Sequence, residues 1–470
     1  MSLSVGELSR GGYVVWIAAA VAIATLGFLG FLRRKRPDTY KRGTLVADGG
    51  TAQRRAARIC RSGFGELTLA GIPIPASDET KHFKLIGTTG TGKSTAIAEL
   101  LRAALGRGDR AVFADPDGGY LERFFERFRG DIILNPFETG SLKWDWYAEI
   151  DNAYDVEQLA SGLIPSSDDP SGREWRGYAR TLFTAIARRC HQARWRDPSV
   201  LWRLLMVATS DELRPIVAGT PAQPFLEPDN ARMFSSIRSV AGSSIAALEY
   251  IQAQRAAPFS VREWVRKRSS PGVLFIPYKA GQIAALRSMI ANWMRLAIFE
   301  AMSQADGIDQ RLWFVVDELD ALGAIDGLKD ALARLRKFGG RCVLGFQSIS
   351  QVSGTYGAGE AQTLVENCGN TLILRCSGSD SGGTAHFASR LIGEREILRR
   401  NTSRGSDREG ILGAGTRRSK STTENFVTEL AVMPSQLEQL RDLSGYIKTA
   451  SSRQWLKVSF PHQTAVRQPS

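Results

Sequence analysis

Residues Gly87-Thr88-Thr89-Gly90-Thr91-Gly92-Lys93-Ser94 fit the pattern G-x-x-x-x-G-K-[ST]. No other stretch constrains the fold as strongly, because this loop works only between a buried strand and the first turn of a helix. Both flanks are present. Phe83 to Ile86 is mostly apolar, and Thr95 to Leu105 reads as a helix. Glycines in such a loop let backbone N–H groups turn inward and cradle phosphate oxygens. Lys93 then reaches the β- and γ-phosphates, and Ser94 offers its hydroxyl to Mg²⁺. Gly87 through Ser94, with Thr95 behind them, are the expected nucleotide-binding set, and ATP with Mg²⁺ the expected ligands. An accidental glycine-rich turn is the competing reading, and the flanking strand and helix count against it.

A chain of 470 residues has room for one large domain or two to three ordinary ones. Its 43% hydrophobic content is that of a globular protein rather than a disordered one. The formal charge of +13 suits an anionic partner, nucleic acid or an anionic membrane surface, although a solubilising surface gives the same sum. The five cysteines are scattered and odd in number, with no C-x-x-C, which argues against a disulfide framework or zinc and for a reducing compartment. The four histidines lack ligand spacing and read as packing or surface residues.

Tyr13 to Leu32 is almost continuously apolar and uncharged, long enough to cross a bilayer as one helix. Arg33, Arg34, Lys35 and Arg36 follow at once, then Lys41 and Arg42, whereas only Arg10 precedes it, offset by Glu7. The positive-inside rule puts the N-terminus outside and the bulk of the chain in the cytoplasm. A cleaved signal peptide would carry its basic residues first. A buried core helix would not end in a basic block. The expected anchor is 1–43, with the span at about 13–32.

Beyond it, strands alternate with helices. A short strand or hairpin is predicted between Gly63 and Pro75. Further strands are predicted at Ala111–Ala114, Ile132–Leu134, Gly272–Tyr278, Leu312–Val316, Arg341–Phe346 and Thr371–Leu374, with helices at Gly281–Met302 and Gly327–Lys337. That alternation predicts an α/β fold with a mostly parallel sheet. From 151 to 265 β-branched runs are few and apolar residues take helical spacing, as at Trp175, Tyr178, Ala179, Leu182 and Ile186. The expected organisation is therefore a nucleotide-binding part at 44–150, an inserted all-α domain at 151–265 and the rest of the nucleotide-binding part at 266–470. Residues 399–423, rich in Arg, Ser, Thr and Gly, read as a flexible loop. Phe426 to Phe460 reads as a closing strand, helix and hairpin.

Leu312-Trp313-Phe314-Val315-Val316-Asp317-Glu318 has Walker B form, an apolar strand delivering two carboxylates. Asp317 is expected to hold Mg²⁺ through water, and Glu318 to orient and activate the attacking water. Gln347, ending the next strand, is placed to sense the γ-phosphate, or is simply a polar strand end. Gly87, Asp115, Asp317 and Gln347 each follow the carboxyl end of a predicted parallel strand, the edge at which open α/β sheets bind ligands. Arg375, after Thr371–Leu374, is an arginine-finger candidate; a surface or salt-bridged arginine is the alternative.

These residues resemble the TraD/TrwB-like coupling proteins of conjugative type IV secretion systems. Besides the P-loop and Walker B, the resemblance rests on Asp115-Pro116-Asp117-Gly118, on Ile133-Leu134-Asn135-Pro136-Phe137 leading to Trp144-Asp145, and on Gly345-Phe346-Gln347-Ser348. It extends to Asn370–Gly393 and to Val432-Met433-Pro434-Ser435-Gln436-Leu437. The resemblance implies a RecA-like P-loop ATPase, membrane-anchored and homo-hexameric, with an all-α domain. Such a protein brings relaxase-bound single-stranded DNA, the relaxosome, to the inner-membrane components of the secretion channel. Lys93, Ser94, Asp317, Glu318 and Gln347 carry over by position, and Arg375 less directly. Many members have two membrane helices where this sequence shows one. An FtsK/HerA-like DNA translocase shares the ATPase motifs but lacks this placement of Asp115-Pro116 and the large helical insertion. A non-hydrolytic DNA-binding membrane scaffold would not need Lys93, Asp317 and Glu318. Contacts to single- or double-stranded DNA are expected to be phosphate-dominated and sequence-independent, since no base-reading helix stands out.

Overall fold

The structure is a computed structural model, and it describes residues 39–54, 66–167, 169–267, 271–304, 311–379, 382–408 and 416–460. Its main feature is a ten-stranded sheet. Seven strands run parallel, in the order Ile132–Ile133, Val273–Tyr278, Arg110–Pro116, Leu312–Val316, Gly340–Phe346, Phe83–Ile86 and Asn370–Ile373. An antiparallel hairpin, Ser444–Lys448 and Trp455–Ser459, extends the sheet beyond Asn370–Ile373, and Val46–Asp48 pairs parallel to its outer strand. The predicted mostly parallel sheet is present, and the closing helix falls at Pro434–Glu438. The hairpin predicted before the P-loop is Thr68–Leu69 with Ile72–Pro73.

Strand alternation sorts the core into two layers. In Leu312–Val316, Trp313 and Val315 join one buried cluster with Leu85, Ile97 and Leu101 of the P-loop strand and helix. Leu312, Phe314 and Val316 join the other, which continues into Leu159, Phe183, Ile186 and Trp293. The helical segment 153–253 therefore shares a continuous apolar core with one face of the sheet. Its helices start where the sequence offers caps. Asp169 and Asp197 each precede a proline at the first helical position and accept from backbone N–H groups, and Thr209 forms a capping box with Glu212.

The chain leaves the sheet region at Lys143–Trp144 and returns at Pro258–Phe259, and these two short strands pair in parallel. Glu149 clasps this neck. Its carboxylate accepts from Trp144 Nε1 at 2.9 Å and from the N–H groups of Val261 and Arg262 at 2.7 and 3.1 Å.

Strands Thr39–Gly43, Glu394–Arg408 and Thr416–Leu430, the last up to Glu429, form a second compact unit, separate from 44–393 and 430–460. This corrects the loop expected at 399–423. Its apolar residues Ile397-Leu398 and Phe426-Val427 fall in adjacent pairs, so the sequence shows no apolar alternation there. Cross-strand ion pairs hold it: Arg395 and Arg399 with Glu429, at 2.8 and 2.9 Å, and Arg400 with Glu424 at 2.5 Å. The span expected at 13–32 lies outside the described residues, among which no helix is long and apolar enough to cross a membrane. Cys190, Cys342, Cys368 and Cys376 are free and buried.

Candidate nucleotide-binding site

The strand register fixes the site. Ile86 lies beside Phe346, and Val316 lies beside both Leu344 and Ala114. Gly87, Gln347, Asp317 and Asp115 consequently share one edge of the sheet, as expected from their places at strand ends. The P-loop is stitched to its neighbours by Gly87 N donating to Phe346 O (3.3 Å) and Thr88 N to Arg375 O (2.9 Å). Gly92, at φ 112°, ends the loop and starts the helix Lys93–Gly106. A Cβ at Gly87 would fall 2.9 Å from both Leu374 Cβ and Thr91 Oγ1, so the first glycine is required by close approach.

Lys93 is buried, and its ammonium donates to the Gly87 carbonyl at 2.7 Å. Burial lowers its pKa, while the charges of Asp317 and Glu318 act in the opposite sense. Asp317 is also buried. Its Oδ2 accepts from Ser94 Oγ at 2.6 Å and from Tyr120 OH at 2.8 Å. Its Oδ1 is buried without a hydrogen-bond partner. A hydroxyl beside a carboxylate with one orphaned oxygen fits Mg²⁺, which takes one or two protein oxygens and completes its shell with phosphate and water. Gly345 makes room for this strand end, because a Cβ there would lie 2.3 Å from Asp317 O.

Glu318 is held by Gln347, whose Nε2 donates to Glu318 Oε1 at 2.9 Å. On its other side Gln347 Oε1 accepts from Thr89 Oγ1, also at 2.9 Å. One side chain thus links the loop to the second carboxylate. Burial, and then the neighbouring Asp317 charge, raise the Glu318 pKa. Thr89, Gly90, Gly92, Lys93, Ser94, Thr95, Asp317, Glu318 and Gln347 line a cavity of about 310 Å³, together with Asp442 and Leu443.

Two expected participants are placed differently from the rest. Asp115 is wholly buried and spends its carboxylate on the N–H groups of Tyr120 and Leu121, at 3.1 and 2.7 Å. Arg375 forms an ion pair with Asp442 at 2.8 Å, the salt-bridged alternative. Three contributors were not read from the sequence. Tyr120 contacts Asp317 directly. Tyr278, at the end of its strand, buries an unpartnered hydroxyl whose pKa is raised by burial, then by the charges of Glu318 and Asp317. Leu443, in the left-handed region at φ 58°, donates its N–H to Thr91 O at 3.0 Å, and so brings the C-terminal hairpin over the loop. The positive φ of Leu443 follows only from packing, and no local signal marks it.

Residues 66–461 match the family model for the type IV secretion-system coupling protein DNA-binding domain. The chain belongs to the type IV secretion-system coupling proteins. Coupling protein TraD of Escherichia coli (strain K12) is 30% identical over 410 residues, covering 85% of this chain and 55% of TraD. This coupling protein therefore spans about half the length of that relative. Its fold matches the unbound conjugative coupling protein TrwBΔN70 with a TM-score of 0.79 at 32% identity, covering 93% of this chain and 97% of TrwBΔN70. The complex of TrwB with ADP and Mg²⁺ matches with a TM-score of 0.78 at 32% identity, over the same shares of each chain. TrwB has also been solved with non-hydrolysable analogues of ATP and GTP.

Proposed function

We propose that this coupling protein is an ATPase that drives DNA to a type IV secretion channel. It hydrolyses ATP in a RecA-like core and works as a homo-hexamer. One span at 13–32 anchors it in the bacterial inner membrane, with its N-terminus periplasmic and its bulk cytoplasmic, and its substrate is relaxase-bound single-stranded DNA. Family membership and the nucleotides held by TrwB support the reading. The observation that carries it is the Thr89–Gln347–Glu318 chain of hydrogen bonds, which joins the phosphate loop to a carboxylate more than two hundred residues away. A nucleotide-binding scaffold has no use for that link, whereas a hydrolase needs it.

Within this reading the loop N–H groups and Lys93 hold the phosphates. Ser94 Oγ and Asp317 would hold Mg²⁺, which when bound offsets negative charge on the β- and γ-phosphates. Glu318 accepts a proton from the attacking water, and Gln347 fixes Glu318 at the height of the loop. Arg375 is the candidate for a contact to a neighbour's nucleotide, and the pair with Asp442 is what such a contact must replace.

Phosphate release by the purified full chain, with and without single-stranded DNA, tests this. Wild type is expected to show DNA-stimulated hydrolysis that Lys93→Ala abolishes. DNA binding with no hydrolysis at any protein concentration would instead identify a scaffold.

A further inference from the structure

Asp115 stands among the catalytic groups at the sheet edge yet offers none of them a contact. Both of its oxygens face backbone donors: Tyr120 N lies 3.1 Å from each, and Leu121 N lies 2.7 Å from Oδ2. The chain reverses between them through two left-handed residues, Asp117 at φ 59° and Gly118 at φ 73°, with Asp117 N bonded to Tyr278 O at 2.8 Å. This turn starts the short helix Gly119–Phe124 at a fixed place. Tyr120, in its first turn, is buried, with its ring 5.4 Å from that of Phe113. Its hydroxyl donates to Asp317 Oδ2, the same oxygen that accepts from Ser94.

We propose that Tyr120 is a positioning residue for the metal-holding carboxylate, and that the segment 115–119 exists to deliver it. Two donors converging on Oδ2 fix the rotation of the Asp317 carboxylate, and Oδ1 is the oxygen they leave over. Ser94 Oγ can give a lone pair to a cation while its O–H still donates to Oδ2, and Tyr120 is the second donor, from outside the phosphate loop, that keeps Asp317 in place. Hydrogen bonds of this kind behind a metal ligand typically contribute about 10- to 100-fold in metal affinity or activity. The inference rests on the proposed function, since it presumes a nucleotide and Mg²⁺ at the loop. It is separable from a packing role, because phenylalanine fills the same space beside Phe113 and lacks only the hydroxyl.

The test is calorimetric binding of ADP to the full chain, first in EDTA and then across a Mg²⁺ series. Tyr120→Phe is expected to bind ADP in EDTA as wild type does. The Mg²⁺ concentration giving half of the metal-dependent gain should rise about tenfold or more. Asp115→Asn keeps one acceptor for the turn and should move the same midpoint in the same direction by less. Midpoints within about twofold of wild type in both variants would overturn the proposal. So would an equal loss of ADP affinity in EDTA, which would mark the hydroxyl as support for the pocket alone. Wild type that binds no ADP in either condition would instead bring down the proposed function, and this inference with it.

Discussion

Glu318 and Lys93 line one cavity, and their removal should fail in different ways. Glu318→Gln keeps an amide where the carboxylate was, so the bond with Gln347 can reform and the loop is untouched. Nucleotide affinity measured by titration should stay close to wild type, while kcat falls about 10²- to 10⁴-fold, the usual contribution of a positioned general base. An equal loss in affinity would move Glu318 from proton transfer to binding. Lys93, Ser94, Asp317 and Glu318 were readable because each belongs to a contiguous motif whose chemistry dictates the residue type. Tyr120 and Leu443 were not. They reach the site through a turn and a hairpin, so their contacts depend on tertiary packing that no window of sequence contains. Asp115 was read at the right edge but not in its own role, because a carboxylate capping a turn looks the same in sequence as one facing a ligand.

Between elements, the neck of the helical segment carries its own pH signature. Glu149 is fully buried, and burial raises its pKa from 4.5 to about 7, against the pull of the Val261 and Arg262 amides and Trp144. The folded state thus binds this proton more tightly than the unfolded one. The stability it contributes is fully present below about 4.5 and is lost as pH rises through about 7. Thermal melts of wild type should lose ground between pH 5 and pH 8 relative to Glu149→Gln, in which that part of the slope vanishes; parallel pH profiles would refute the assignment. Asp115, raised to about 6 by burial, acts in the same direction and is common to both proteins. Elements with a buried face were legible. Leu312–Val316 was found at its observed limits, and the parallel strands lay within a residue or two of prediction. The ribbon Glu394–Arg408 with Thr416–Leu430 was missed for the converse reason. Its strands carry ion pairs across a largely polar ladder with few apolar residues, and hydrophobic periodicity reports only apolar burial.

At the scale of the whole molecule, the charge of +13 bears on the DNA binding proposed above. Binding dominated by phosphate contacts loses affinity linearly on a log–log plot against salt, with a slope of about −0.7 to −0.9 per phosphate neutralised. Anisotropy of labelled oligonucleotides should show that slope, with scrambled sequences superimposing; a flat salt dependence would point to base contacts instead. The order of strands in the sheet has a different kind of consequence, one in time. Phe83–Ile86 pairs on its two sides with Gly340–Phe346 and Asn370–Ile373. During synthesis the P-loop strand therefore leaves the ribosome about 250 residues before its first partner. At about 5–20 residues per second that is on the order of 10 to 50 s. For that interval both edges of the future centre of the sheet stand open in the nascent chain. Nucleotide can find a finished cradle only after Gln347, Asn370–Ile373 and Leu443 have been made, so ATP cannot assist the folding of the strands that precede them.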